Sequence, residues 1–377
     1  MEDINMKVGM LSLHHHKNYG GLLQSYALYK ILEKAGHSPV VIDYRVSVKR
    51  LRGKKLSGLL SPAIYIRKLR ALFVKPKNKR PVSTKLLENF SSFKKSHMKL
   101  TSQANDENIG NISKDLDAII VGSDQIWNGL DKKRLIYFFD WSEPFKGKKI
   151  SYAACSIVTE FAKYNSKKIR KCLTEFDHVS VRDKYTEKFV MEFSDISPQI
   201  VLDPSYLYDF TEFTKTRLIK EPYIFAYLLG PEIKGGNEKL IADLKKKYRN
   251  IKIVAVIIED VSLEAEKFAD TSFCYASPDQ WVNLAYHSEF VLTDSFHGTV
   301  FALKFRKQFL TYYRDFARAS RLTDIAARYS LENNVVNSID DYIKKESLSK
   351  QIDYTSFEQI FNIDLENSLE FLNKSLL

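Results

Sequence analysis

Along this chain, short runs of consecutive apolar residues alternate with stretches whose apolar positions recur every three or four residues. Lys7 to Leu13 is a compact apolar run, and His14 to Gly21 is polar with a glycine pair. Leu22 to Ala35 then sets Leu23, Ala27, Ile31 and Leu32 on one helical face. Gly36 stops that helix and Val40-Val41-Ile42-Asp43 returns as a strand, so the chain opens with a βαβ unit. Further apolar runs lie at Ala118–Val121, Ile150–Ala154, His178–Val181 and Ile200–Leu202, with a helix over Ser166–Phe176. Strands that are apolar at every position belong to a parallel sheet covered on both faces. A second alternation starts after Pro222, with strands at Tyr223–Leu228, Ile251–Ile257, Phe290–Thr293 and Phe309–Tyr312. Its helices fall around Glu238–Tyr248, Gln280–Tyr286, Gly298–Phe305 and Phe316–Tyr329, and Thr355–Leu377 closes the chain with helical spacing. The pattern predicts an α/β fold of two Rossmann-like domains facing a cleft. Residues 1–215 form the first, with an insert at about 45–100 and completion by the C-terminal helix 355–377; residues 216–354 form the second.

Composition narrows the class. With 377 residues, 44% apolar and 28% charged, the chain can bury an ordinary core, which excludes a disordered protein or a small disulfide-stapled one. The net charge of +12 is localised: Arg45 to Lys99 holds 17 basic residues and one acidic, Glu88, leaving −4 for the remainder. Within that stretch Ala63–Val74 has the spacing of a short amphipathic helix. Such a segment suits an anionic membrane surface or, as a solvated loop, a clamp on the diphosphate of a glycan acceptor; nucleic acid is the weaker alternative, because only Tyr65, Phe73, Phe90 and Phe93 supply aromatics and no nucleic-acid motif is present. Cys155, Cys172 and Cys274 lack metal or redox spacing. No stretch approaches the roughly 20 apolar residues of a membrane span, and the start lacks the apolar run of a signal peptide, so a cytoplasmic location is expected.

In open parallel sheets the residues just past each strand carry chemistry. Asp294-Ser295-Phe296-His297-Gly298-Thr299 joins a strand to a helix, putting His297 at a helix N-terminus where an anion is favoured and an imidazole can donate a proton. The same residues also read as a simple helix cap. Gly122 to Asn128 offers Ser123, Asp124, Gln125 and Asn128 for sugar hydroxyls, with Trp127 either stacking on a pyranose or filling the core. Arg182 suits a phosphate or carboxylate, or alternatively a salt bridge with Asp183 or Glu187. His14-His15-His16 is read as no metal site, because consecutive residues leaving a strand point in alternating directions. Asn18-Tyr19-Gly20-Gly21 lacks the features of a P-loop or a dinucleotide site.

Together these stretches acquire a family likeness. His14, Asn18-Tyr19-Gly20-Gly21 and Leu23-Gln24-Ser25-Tyr26-Ala27-Leu28 are followed by Ile42-Asp43-Tyr44, Ile120 to Asn128 and Ser151-Tyr152-Ala153-Ala154. Ser180-Val181-Arg182, Val201-Leu202-Asp203-Pro204 and Thr293 to Thr299 complete a series that closely resembles the polysaccharide pyruvyl transferase family. The resemblance implies a GT-B-like fold and no cofactor. It implies transfer of the enolpyruvyl group of phosphoenolpyruvate onto a sugar of a bacterial surface polysaccharide, or of its lipid-linked precursor, as a pyruvate ketal. It makes His297 the catalytic or donor-binding histidine and Arg182 a donor ligand, with Asp124 or Asp294 as base. His14, Asn18, Tyr19, Gly20, Ser123, Gln125, Trp127, Asn128, Ser295, Gly298 and Thr299 are the expected substrate contacts. Some family members carry Arg two residues before this histidine, where this chain has Ser295, so the second cation for the donor falls to Lys304, Arg306, Arg314, Arg318 or Arg321. A glycosyltransferase using a nucleotide sugar on the same fold is the nearest alternative.

Overall fold

The computed structural model describes residues 5–15, 17–45, 80–127, 135–141, 143–156, 167–314 and 316–377. The first half forms a six-stranded parallel sheet from β1 (Lys7–Leu11), β2 (Ser38–Val41), β3 (Ala118–Asp124), β4 (Lys148–Ala154), β5 (His178–Val181) and β6 (Gln199–Ile200). Its order is β2-β1-β3-β4-β5-β6. The second half forms another from β7 (Tyr223–Tyr227), β8 (Lys252–Val256), β9 (Thr271–Phe273), β10 (Phe290–Thr293), β11 (Gln308–Tyr312) and β12 (Val335–Val336), in the order β12-β11-β10-β7-β8-β9. In each sheet the direction of strand addition reverses once, between β1 and β3 and between β7 and β10. Ligand crevices of open α/β sheets lie at the carboxyl ends of such strand pairs. These are the strand exits that carry His14–Gly21, Gly122–Trp127 and Asp294–Thr299.

The helices that position the site are α1 (Tyr19–Lys34), α2 (Thr84–His97), α3 (Lys184–Phe193), α4 (Pro204–Leu207), α5 (Pro278–His287), α6 (Phe296–Lys304), α7 (Phe316–Tyr329) and α8 (Tyr354–Leu376). Three features depart from the sequence expectation. Helix α1 begins three residues early, directly after Asn18, whose side-chain oxygen accepts the Gly21 N–H at 3.4 Å. Helix α2 falls inside the segment read as an insert, yet Leu86, Phe90 and Phe93 are buried in the core. Their apolar stripe was hidden by five Lys, Glu and His residues on the other faces. The short strands β9 and β12 and helix α3 were not expected at all. The rest of the basic segment, residues 46–79, with the stretch Ala63–Val74, lies outside the described residues.

One apolar core runs without a break from the first sheet into the second. Its seam is aromatic: Tyr19 of α1 packs on Phe90 of α2 and stacks on Trp281 of α5, with ring centroids 4.8 and 5.9 Å away, and its hydroxyl donates to the Ala276 carbonyl at 2.7 Å. Helix α8 joins both halves, since Ser368 accepts the Leu202 N–H at 2.9 Å while Asp364 takes bonds from Arg328 and Tyr329 of α7. The halves are therefore held at a fixed separation by packing as well as by the chain.

At the top of this seam the backbone of α1 touches His297 of α6. A methyl group on Gly20 would stand 2.1 Å from His297 Cγ, so only glycine permits the approach. Gly20→Ala should therefore force α1 and α6 apart, at an overpacking cost of about 1–3 kcal/mol. The thermal unfolding midpoint should fall by several degrees relative to the wild-type chain; an unchanged midpoint would show that the contact is slack.

Candidate functional site

Strand β10 delivers the chain to the cleft as Thr293-Asp294-Ser295. Ser295 caps α6, its hydroxyl oxygen accepting the Gly298 N–H at 3.3 Å, and Thr293 holds the turn by accepting the Ser295 N–H at 3.1 Å. Asp294 Oδ1 accepts the Leu229 N–H at 2.6 Å, tying the exit of β10 to that of β7. His297 follows in the first helical turn, buried, with Nε2 making no hydrogen bond and standing 3.5 Å from Asp203 Oδ2. Because Gly20 rests on the other side of the ring, the N-termini of α1 and α6 both face this point. Two positive dipole ends make it favourable for an anion.

The first sheet supplies the charges. Arg182, after β5, donates from Nη1 to Asp203 Oδ2 at 2.8 Å and from Nη2 to Asp124 Oδ1 at 3.3 Å. Asp203, after β6, also accepts from Ser123 Oγ at 3.2 Å and caps α4 through the Ser205 N–H at 3.0 Å. Ser123 N–H in turn donates to Gln24 of α1 at 3.1 Å. Arg321 of α7 reaches in from the second half with Nη1 3.9 Å from Asp124 Oδ1, and its guanidinium lies over the Phe296 ring, 5.4 Å from the centroid. Burial opposes ionisation of Asp203, but His297 and Arg182 outweigh it and hold the carboxyl well below the usual range. The same contest at Asp124, with Arg182, His297 and Arg321 against burial, also ends below the usual range. Burial holds Arg321 below its ordinary value, as expected of a cation only loosely paired.

Between the two sheets these groups enclose a cavity of about 200 Å³ lined by Asn18, Asp124, Gln125, Asp294, Ser295 and His297, with Arg321 and Phe296 among the remaining walls. Other expected contacts lie elsewhere. Trp127 is fully buried, stacked on Phe138 at 4.9 Å with its N–H on the Tyr137 carbonyl, so no ring face is left for a sugar. Tyr19 is closed into the interdomain seam, and Thr299 is buried with its hydroxyl 2.7 Å from that of Thr311. Ser123 and Gly298 are engaged internally, as described, and Asn128 lies outside the described residues. Arg182 spends both terminal nitrogens on carboxylates and does not line this cavity, although with Asp203, Phe296 and Arg321 it lines a smaller space of about 30 Å³ beside it.

His14 faces Asp43, away from the cavity, and His15 faces the same carboxylate. The argument that neighbouring histidines diverge fails for this pair because they occupy a turn after β1, not a strand. Among the cations considered for the second donor contact, Lys304 is bonded to the Tyr206 carbonyl and pushed down to about 8 by burial. Arg306 pairs with Glu358, and Arg314 lies exposed at the Glu232 carbonyl. The Arg318 side chain is outside the described residues. Asp203 was missed as a site residue: before Pro204 it reads as an ordinary helix cap, and only its place at a strand exit marked it.

The solved structures most like this one share its fold. UDP-GlcNAc 2-epimerase from Neisseria meningitidis superposes with a TM-score of 0.50 at 11% identity over 99% of both chains. The enzyme of the same name from Methanocaldococcus jannaschii gives 0.50 at 12% over 96% of this chain and 99% of its own. Arabidopsis thaliana UGT89C1 complexed with UDP-L-rhamnose gives 0.52 at 12% over 99% and 100%. These likenesses establish the GT-B arrangement of two Rossmann-like domains and nothing finer. No curated protein matches the sequence. The profile of one family, polysaccharide pyruvyl transferase, matches residues 18–315, which include every wall of the cavity except Arg321 and Leu322. The chain is therefore a transferase belonging to the polysaccharide pyruvyl transferase family.

Proposed function

We propose that the cavity between the two sheets binds phosphoenolpyruvate and that His297 delivers a proton to its methylene carbon as a sugar hydroxyl attacks the adjacent carbon. The observation that carries this reading is His297 itself, set between two helix N-termini with Arg321 and the buried pair Asp124 and Asp203 around it. Protonation at the methylene gives cationic character to the carbon bearing phosphate and carboxylate. The hydroxyl bonds to that carbon and gives its proton to a carboxylate, for which Asp294 and Asp124 line the cavity. Loss of phosphate with the C–O electron pair reopens the centre, and a second hydroxyl of the same sugar closes the ketal, its proton returning to His297 while the first proton passes from the carboxylate to the departing phosphate. Two helix N-termini and Arg321 favour the trianionic donor before reaction and the phosphate as it leaves. Asp203 Oδ2 stands 3.5 Å from His297 Nε2.

Size argues in the same direction. A cavity of about 200 Å³ is below the roughly 300–1,000 Å³ typical of drug-sized ligands, and suits a three-carbon phosphate with one sugar edge better than a whole nucleotide sugar. The acceptor is a saccharide, free or carried on a lipid. No helix among the described residues is long and apolar enough to cross a membrane. We assign to the basic segment, with its 17 cations, reversible attraction to an anionic membrane surface where a lipid-linked acceptor would be met.

His297→Ala should lower turnover by at least 10²-fold with the fold intact, the usual range for a lost general acid being about 10²–10⁴. Turnover within threefold of wild type would remove His297 from the chemistry. Arg321→Ala should raise the KM for phosphoenolpyruvate at least tenfold and leave that for the acceptor unchanged, with Arg321→Lys intermediate because an ammonium cannot grip phosphate bidentately. Arg306→Ala serves as the control that changes neither constant. A shift confined to the acceptor constant would place Arg321 on the sugar. Co-sedimentation at low salt should recover the chain with anionic but not neutral vesicles, and changing Lys54, Lys55, Arg67, Lys68 and Arg70 together to Gln should abolish it; wild-type protein remaining in the supernatant would overturn the membrane role.

A further inference from the structure

At the carboxyl edges of β1 and β2, one strand away from the cavity, a second cluster has no part in the reaction above. The turn after β1 brings His14 and His15 together, ring centroids 3.8 Å apart, over Asp43 at the exit of β2. His14 Nε2 and His15 Nδ1 each lie 3.5 Å from the same atom, Asp43 Oδ1, and one ligand atom from each of the three residues lies within 4.8 Å of the others. Neither nitrogen has a hydrogen-bond partner, and both are closed off from solvent. His14 as a whole is only 1% exposed.

The tautomer of His14 sharpens the problem. Its Nδ1 is 3.2 Å from the Ser12 carbonyl oxygen, which can only accept, so Nδ1 carries the hydrogen. In the neutral ring the Nε2 lone pair then points at a carboxylate oxygen. Two lone pairs facing each other make no hydrogen bond, and a cation between them, whether a proton or a metal ion, removes their repulsion. The distance is the one expected for two ligands of a common ion. With bonds of about 2.0–2.2 Å, the edge of a zinc tetrahedron is about 3.3–3.6 Å. A ring that binds metal through one nitrogen and gives its other N–H to a backbone carbonyl is the usual condition of a ligating histidine.

We propose that His14 Nε2, His15 Nδ1 and Asp43 Oδ1 form a site for a divalent transition-metal ion of the zinc type, with water completing the tetrahedron. Two imidazoles and one carboxylate select such an ion over magnesium or calcium, which require oxygen ligands. Arg45 stands 3.3 and 3.4 Å from the two Asp43 oxygens and is the competing cation. Its side chain is 55% exposed, so it can turn to solvent when an ion enters, at a cost in affinity. The site fixes the segment between β1 and α1, the same segment that presents Asn18 to the cavity and the Gly20 backbone to His297. It does not depend on the pyruvyl-transfer reading.

The full-length chain, stripped with a chelator and dialysed, should bind one equivalent of Zn²⁺ by calorimetry, and Co²⁺ in its place should give the intense visible bands of tetrahedral coordination. Binding should weaken at least tenfold in His15→Gln and in Asp43→Asn and tighten in Arg45→Gln. His15 is partly exposed, so its variant keeps the fold, as circular dichroism would verify. Zn²⁺ should raise the unfolding midpoint of the wild-type chain and not that of His15→Gln. Absence of a stoichiometric equivalent in folded wild-type protein, or equal affinity in His15→Gln, would overturn the site, and neither result bears on pyruvyl transfer.

Discussion

Two carboxylates buried at the centre of the molecule set the terms for everything around them. Asp124, at the end of β3, and Asp203, after β6, leave the same sheet and are buried, where an uncompensated charge costs several kcal/mol. Arg182 answers both from within the same sheet. It does not complete the balance, because Asp203 also faces His297 and Asp124 also faces Arg321, and those two groups come from the other half of the chain. The electrostatic requirement thus spans the cleft. The aromatic seam beneath it, with Tyr19 against Trp281, holds the halves close enough for the charges to meet.

This arrangement separates two kinds of cation. Arg182 is committed, with both terminal nitrogens on carboxylates, and acts as the clamp that keeps Asp124 and Asp203 ionised and in place. Arg321 is held at 3.9 Å, beyond hydrogen-bond length, and also lies against an aromatic face. An anion entering the cavity can draw Arg321 away from Asp124 with little loss, whereas drawing Arg182 away would strip two buried carboxylates of their partner. Physical cost, rather than proximity to the histidine in sequence, separates the arginine that can be drawn away from the one that cannot.

Much of the architecture was legible because buried parallel strands leave short, mostly apolar runs, and Ala118–Val121 and Phe290–Thr293 lie within such runs. Elements failed to show where their local signal was diluted. Helix α2 carries its apolar stripe among lysines, and β9 and β12 are edge strands of three and two residues. The start of α1 reads as a loop because Gly20 and Gly21 are poor helix formers, and Gly20 stands there for its contact with His297. At the site, His297, Asp294 and Asp124 could be picked out as polar residues past strands. Trp127 could not be placed, since a tryptophan beside a polar loop serves core or ligand equally well until its neighbours are known. Arg321 carried no local mark at all; its role comes from α7 folding back over the cleft.

That last point bears on Ser295. Two residues before His297 this chain has a helix cap, and a serine hydroxyl carries no charge. An arginine at 295 would begin from the first turn of α6, beside the Phe296 ring. Arg321 brings its guanidinium to that same ring from the facing helix and lines the same cavity as Ser295. Arg321 thus brings a cation beside the cap, and Ser295 does what serine does well, which is to fix the helix N-terminus that presents His297. A charge delivered across the cleft from α7 also depends on how α7 packs against α8, through Arg328, Tyr329 and Asp364. The C-terminal helix, distant from these groups in sequence, thereby helps to set the position of a loosely paired cation in the cavity wall.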